Sequence, residues 1–239
     1  MNKFIDAYNF RARLSPSFLA LLPLLFGLMA WVPGIKGTAE PLTGAAVAAG
    51  VLFILVCVAR DAGEKAQRRL ILEWGGQLPS VFMLRHRDAS LDKVTKARYH
   101  SKLQRTVSGV RLPDKEQEER DAASADEQYS ACCSYLKSKT RDDKAFPLVK
   151  EENMNYGFRR NLYGLRPYGS FLACAAVVSC GLKLYRAYST GQQMSSLTFF
   201  CLVASLLSLF VWAVVVNKQF VRSGADSYAT RLLEAIDQI

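Results

Sequence analysis

The sequence predicts an all-α membrane protein, with four transmembrane helices in two hairpins and a helical cytoplasmic domain between them. Three observations predict it. Half of the 239 residues are hydrophobic, and they gather into four blocks without an internal charge. The 31 Lys and Arg residues are spread very unevenly around those blocks. No stretch alternates apolar and polar residues for long enough to make a sheet.

The blocks cover residues 17–35, 43–59, 168–182 and 197–216. Each is near the ~20 residues that a helix needs to cross a bilayer. Pro23 and Pro33 in the first are better tolerated in a membrane helix than in a soluble one. The third is short, with Lys183 and Arg186 placed to snorkel at its end. Buried helices of a soluble protein are the bland alternative, but such helices carry a polar stripe, which residues 51–58 and 197–216 lack. A secretory signal is the other alternative, with Gly37-Thr38-Ala39 weakly resembling a cleavage site. The first apolar run is long for one, and the next block follows after seven residues. A hairpin explains both.

Charge sets the orientation. Three cations precede the first block, 22 lie within residues 60–166, and three follow the last. The short loops inside the two hairpins carry only Lys36, and Lys183 with Arg186. The positive-inside rule therefore places both termini and the central segment in the cytoplasm. The segments expected are a cytoplasmic amphipathic lead-in (1–16), hairpin one (17–59), the helical cytoplasmic domain (60–166), hairpin two (167–216) and a cytoplasmic C-terminal helix (217–239). Neither external loop holds a cysteine, so the six cysteines imply no disulfide framework. Adjacent Cys132 and Cys133 read as small apolar residues on a helix.

Within the central segment, residues 60–74 continue the second span, and Trp74-Gly75-Gly76-Gln77-Leu78-Pro79 stops it. Asp88 or Ser90 is the expected cap of a helix reaching about Val107, and Ser124-Ala125-Asp126-Glu127 has capping-box spacing. The tail 226–239 places Ala229, Leu232, Leu233 and Ile236 on one helical face. The chain also echoes itself. Tyr8-Asn9-Phe10-Arg11-Ala12-Arg13-Leu14 matches Tyr156-Gly157-Phe158-Arg159-Arg160-Asn161-Leu162, and Ser17-Phe18-Leu19-Ala20 matches Ser170-Phe171-Leu172-Ala173. After each hairpin, Arg60 and Arg69-Leu70-Ile71 match Arg222 and Arg231-Leu232-Leu233 at one constant offset. Two parallel copies of a lead-in, a hairpin and a cytoplasmic helix account for this.

Enzyme chemistry finds no foothold. Gly63-Glu64-Lys65 lacks the rest of a P-loop, and no Gly-x-Ser-x-Gly elbow exists. His86 and His100 have no partners at metal-ligand spacing, and Glu116, Glu118 and Glu119 read as a solvated charged run. No enzyme, metal or cofactor is expected. The cations say more. Arg98, Lys102 and Arg105 share one helix face at i, i+4 and i+7, Lys93, Lys96 and His100 form a second cluster, and Arg85 and Arg87 lie just upstream. Arg85, Arg87, Arg98, Lys102 and Arg105 are the candidate ligand site, where phosphates of a single-stranded DNA or oligonucleotide would sit. Attraction to anionic membrane lipid is the competing reading, and it is favoured for Arg11, Arg13, Arg159 and Arg160 beside the spans. In the fourth block Thr198, Cys201, Ser205 and Ser208 share a face, suited to helix packing or to a pore of low charge. Four helices of one chain fill their own centre, so conduction needs a ring of subunits, with a tetramer expected.

Ala7-Tyr8-Asn9-Phe10-Arg11-Ala12-Arg13-Leu14, Trp74-Gly75-Gly76-Gln77-Leu78-Pro79 and Asn155-Tyr156-Gly157-Phe158-Arg159-Arg160-Asn161-Leu162 resemble segments of a bacterial multi-span family associated with phage defence, the Hailong A type of membrane effector. The resemblance covers the whole chain and carries no residue roles. It implies an oligomeric ion channel, toxic through membrane depolarisation, held in check by a DNA oligomer that a partner nucleotidyltransferase makes. The reading left beside it is a non-conducting membrane-anchored scaffold that recruits a cytoplasmic partner.

Overall fold

Helices account for most of the described residues, and glycines and prolines mark several of their ends. A computed structural model of the protein describes residues 10–31 and 41–239, without the side chains of residues 10, 41–53 and 55. The lead-in residues 1–9 lie outside the described residues, as do Pro33, Lys36 and Gly37-Thr38-Ala39 in the first hairpin. A π-helical turn, Phe10–Leu14, leads into α1 (Ser15–Trp31). Then come α2 (Pro41–Glu73), α3 (Pro79–Leu84), α4 (Lys93–Thr106), α5 (Lys115–Arg120) and α6 (Ala122–Lys139). After these follow α7 (Pro147–Gly164), α8 (Arg166–Ser189), α9 (Ser196–Phe210) with a π-helical turn at Val211–Val215, and α10 (Lys218–Glu234) with a 3₁₀ turn at Ala235–Gln238. The described residues form no strand.

Among the described residues, three helices are long and apolar enough to cross a membrane: Arg11–Trp31, Arg166–Ser189 and Ser196–Val215. The remaining expected span, residues 43–59, forms the first half of α2, and most of its side chains lie outside the description. The helix does run on unbroken past Arg60. It ends where Gly75 and Gly76 take positive φ of 98° and 88°, a backbone region that favours glycine. Pro79 then opens α3 at a position where its missing N–H costs nothing.

Two of the expected caps fall elsewhere. Asp92, not Asp88 or Ser90, caps α4 by accepting from the Thr95 N–H. Asp121, not Ser124, caps α6, accepting from the Ser124 N–H at 3.0 Å. A full capping box does form, at Asp114 and Gln117 of α5. In each case a carboxylate outcompetes a hydroxyl or a more distant acid for the orphan amides.

The chain divides into two units. The first comprises Met1–Arg68 and Gly157–Val221, the second Arg69–Tyr156 and Arg222–Ile239. In the first, α1, α8 and α9 pack against one another. The buried residues between them are small, among them Ala20, Ala30, Ala173, Cys180 and Cys201. Small residues let helix backbones approach where lipid offers no hydrophobic drive for association. Gly169 extends this logic, because a β-carbon there would collide with the ring of buried Trp212. The outward faces are apolar, with Phe171, Phe199, Phe200 and Leu207 all more than 60% exposed. Apolar surface on this scale marks contact with lipid or protein.

The helix crossings of the first unit are tighter still at α2 and α7. A β-carbon on Gly164 would fall on the Ala62 carbonyl and the Gly63 nitrogen, and one on Gly63 would fall on Asn161. Asn161 is itself buried and donates to the Ala12 carbonyl in the π-helical turn, at 2.7 Å. The other π-helical turn is served in the same manner. Arg166 donates to the carbonyls of Trp212 at 3.1 Å and Ala213 at 2.9 Å. A π-turn misaligns the helical ladder, and side-chain donors satisfy the carbonyls it disturbs.

The second unit is built around Leu84, Leu103, Tyr129, Leu136, Leu232 and Leu233, all buried. The C-terminal residues Ala229, Leu232, Leu233 and Ile236, which share a helical face in the sequence, bury together in this core. Cys132 and Cys133 lie in it too, and burial pushes their thiols up to about 12 and about 11. Such thiols are packing groups, not nucleophiles, at neutral pH.

Candidate functional site

The cations of the second unit fall into two kinds, spent and available. Arg85 is spent. It follows α3 and holds Asp126 with both ends of its guanidinium, Nε to Oδ1 at 2.7 Å and Nη2 to Oδ2 at 2.5 Å, and its face lies 4.1 Å from the centre of the Phe82 ring. Its side chain is mostly buried, so this bidentate pair is a structural clamp joining the end of α3 to α6. Lys96 is also spent: it is buried and donates to the carbonyls of Arg85 and Asp88, and desolvation lowers its pKa. Arg98 is half-exposed and pairs with Asp237 at 2.9 Å. Arg105 is exposed and turns back to Ser101 on its own helix. Lys102 lies half-buried one turn before Arg105.

The loop between α3 and α4 closes one side of a cleft of about 650 Å³ in this unit. Arg87, Lys93, Lys96 and Lys115 line it, with Asp88 and Asp92. Of the five residues expected to hold a ligand, only Arg87 lines this cleft. Lys93 belongs to the second cationic cluster read from the sequence, and nothing local in the sequence brings Lys115 beside it. Asp92 already caps α4, so two of the lining charges are committed to the fold, Asp92 and Lys96. Arg87, Lys93 and Lys115 remain, against Asp88, with Arg87 half-exposed at 3.7 Å from Glu118 and Lys115 exposed at 3.8 Å from Glu119.

A buried polar network holds this loop in place. Glu118, read from the sequence as part of a solvated run, is 2% exposed. It accepts from the His86 N–H at 2.7 Å, the Tyr129 hydroxyl at 2.7 Å and the Arg87 N–H at 3.4 Å. Desolvation pushes its carboxyl up, but these donors outweigh it and its pKa lies below the ordinary carboxylate value. Tyr129 is raised in turn, by burial first and then by Glu118. His100 packs 5.6 Å from Tyr129 and 4.8 Å, edge-on, from His86. Its Nε2 lies 2.7 Å from the Leu84 carbonyl, which fixes the proton on that nitrogen. Burial lowers the His100 pKa, so the ring is neutral at pH 7. The two histidines therefore serve the fold of the loop. Among the described residues no group of His, Cys, Asp and Glu is arranged to hold a metal.

The hydroxyl face of α9 points into its own chain. Thr198, Cys201 and Ser205 are buried, and Ser208 is half-buried. Ser205 donates back to the Cys201 carbonyl at 2.7 Å. The cations beside the spans also have protein partners. Arg159 donates to the Phe220 carbonyl at 3.1 Å and covers that ring, and Arg160 donates to Gln67 at 2.5 Å.

No protein-family model matches the chain, and no curated protein or solved structure matches it either.

Proposed function

We propose that the protein is an oligomeric, ligand-gated ion-conducting effector of a bacterial inner membrane, which depolarises the membrane in phage defence. Its second unit lies in the cytoplasm with both termini and binds an oligonucleotide. The observation that carries this reading is the coexistence of three span-length apolar helices with a cleft presenting Arg87, Lys93 and Lys115. Three cations within one cleft match the phosphates of a short single strand, and steer it there. The defence role and the nucleotidyltransferase partner rest on the resemblance in the sequence. A ligand gates such a protein only through its differential affinity for the open and closed states.

Titration of the detergent-solubilised protein with a short fluorescent single strand tests the ligand. Binding is expected to weaken with salt by a log–log slope of about −0.7 per phosphate neutralised. Reversal of charge at Arg87, Lys93 and Lys115 is expected to lower affinity at least tenfold, about 1.4 kcal/mol. Reversal at Arg98 and Lys102 separates the outer face of α4 from the cleft. Absence of binding by the unaltered protein removes the oligonucleotide from the proposal.

The scaffold reading keeps one specific support. Thr198, Cys201 and Ser205 are buried within a single chain, which supports helix packing over a pore between subunits as their role. A conducting oligomer must then line its pore with another face.

A further inference from the structure

At the ends of α1 and α8 remote from the Arg166 side, two clefts meet at Trp31. One is an apolar groove of about 290 Å³ between these helices, floored by Gly27 and Ala176 and walled by Leu24, Leu28 and Leu172. The other, of about 230 Å³, is lined by Lys183, Arg186, Gln192, Gln193 and Thr198. Trp31 lines both. No carboxylate is among the described residues lining either.

Each part of this arrangement is held in place. The Trp31 indole donates to the Ser179 hydroxyl at 2.7 Å, which fixes the ring across the junction. Lys183 and Arg186 converge on that ring, 5.8 and 5.7 Å from it. Lys183 also donates to the Ala30 carbonyl in the last turn of α1, where the helix dipole favours a cation. Thr198 is buried, and its hydroxyl has no hydrogen-bond partner among the described residues. An apolar groove that shares Trp31 with a cationic, hydrogen-bonding cleft has the shape of one kind of molecule. It accepts an alkyl chain at one end and an anionic headgroup at the other.

We infer that this junction is a binding site for an anionic phospholipid, with one acyl chain in the α1–α8 groove and the headgroup phosphate between Lys183 and Arg186. Tryptophan suits the border because its ring is apolar and its N–H polar. The inference rests on the membrane reading of the first unit but not on conduction or on the oligonucleotide. Attraction of about 1 kcal/mol per cation converts to about fivefold per charge. Two cations therefore set a preference of at least about fivefold for phosphatidylglycerol over zwitterionic phosphatidylcholine.

Reconstitution of the full chain into vesicles of these two lipids, one of them brominated on its acyl chains, measures this directly. The Trp31 contribution to quenching is the difference between the unaltered protein and Trp31→Phe. A preference of fivefold or more for phosphatidylglycerol, falling to about one in Lys183→Gln/Arg186→Gln, is the expected result. Gly27→Leu fills the groove and is expected to reduce Trp31 quenching by both lipids while the protein stays monodisperse. Equal quenching by both lipids in the unaltered protein, or a preference that survives the double substitution, overturns the site. Displacement of brominated phosphatidylglycerol by soluble glycerol phosphate overturns the lipid assignment, since the cations would then read phosphate alone. Quenching by neither lipid overturns the membrane reading along with the site.

Discussion

The most informative single residue is Glu118, because its surroundings reverse what its neighbours in the chain suggest. Glu116 and Glu119 are exposed, and each forms an i,i+4 pair on its own helix. Glu118 instead gathers two backbone amides and a hydroxyl from two separate places in the second unit, the loop after α3 and helix α6. No local pattern encodes that convergence, which is why the sequence reads all three alike. The network predicts its own energetics. Glu118→Ala leaves buried donors unpaired and is expected to cost about 3 kcal/mol, and Tyr129→Phe about 1 kcal/mol. Chemical denaturation of the two variants and the double variant is expected to give a clearly sub-additive sum, because they remove the same bond. Additive costs would mean that the two side chains act independently.

His100 adds a pH dependence whose sign follows from its burial. Its pKa in the folded protein lies below the unfolded value of 6.5 because burial disfavours the charged ring, with His86 and Lys96 adding repulsion, and together these outweigh the opposing hydrogen bond to the Leu84 carbonyl. Between the two values the unfolded chain binds more protons, so stability falls as pH drops through the unfolded pKa. Glu118 works at lower pH: its depressed pKa supplies stability that is lost only as pH falls through its folded value, below 4.5. Stability measured between pH 7.5 and 5.5 is therefore expected to fall, by at most about 1.4 kcal/mol per pH unit from His100. His100→Gln, which keeps a donor for Leu84, is expected to flatten that part of the profile. A profile unchanged by this substitution would show that His100 does not set it.

At the scale of elements, the repeat legible in the sequence has physical counterparts. Arg60 pairs with Glu64 at 2.9 Å, and its echo Arg222 pairs with Asp226 at 2.8 Å, each at i,i+4. Leu70 and Leu232, matched in the sequence, are both buried, and so are Ala20 and Ala173. Helix identity and the stop after Trp74 were legible because periodicity, glycines and prolines act locally. Caps were legible only in kind, since several acids near each helix start compete for the same amides. The crossing of α2 and α7 was not legible at all, because a glycine's role as a contact point depends on the helix that meets it. Gly164→Ala is expected to force a methyl into the Ala62–Gly63 backbone and cost about 2 kcal/mol. The change Gly181→Ala on α8, where a β-carbon meets nothing, serves as control. A thermal-unfolding comparison in detergent checks this, and equal midpoints would refute the close crossing.

At the scale of the whole molecule, composition and charge distribution already separated apolar spans from a cationic remainder. They could not tell which cations are free to meet a ligand. Arg85 and Arg87 are two residues apart, yet one is locked to Asp126 and the other lines a cleft. Folding decides this by how closely it brings acids from distant helices against each cation: Arg85 is mostly buried in its pair, and Arg87 stays half-exposed at 3.7 Å from Glu118. The same division governs the hydroxyl residues of α9, which the fold turns inward. The proposal that joins these parts is gated conduction, and recording from the purified protein in a planar bilayer tests it most directly. Discrete unitary currents are expected, with an open probability that changes when a short single strand is added on the side of the second unit. That change is expected to vanish when Arg87, Lys93 and Lys115 are reversed in charge. Silent bilayers under every condition, with the protein shown to be inserted, would contradict the account.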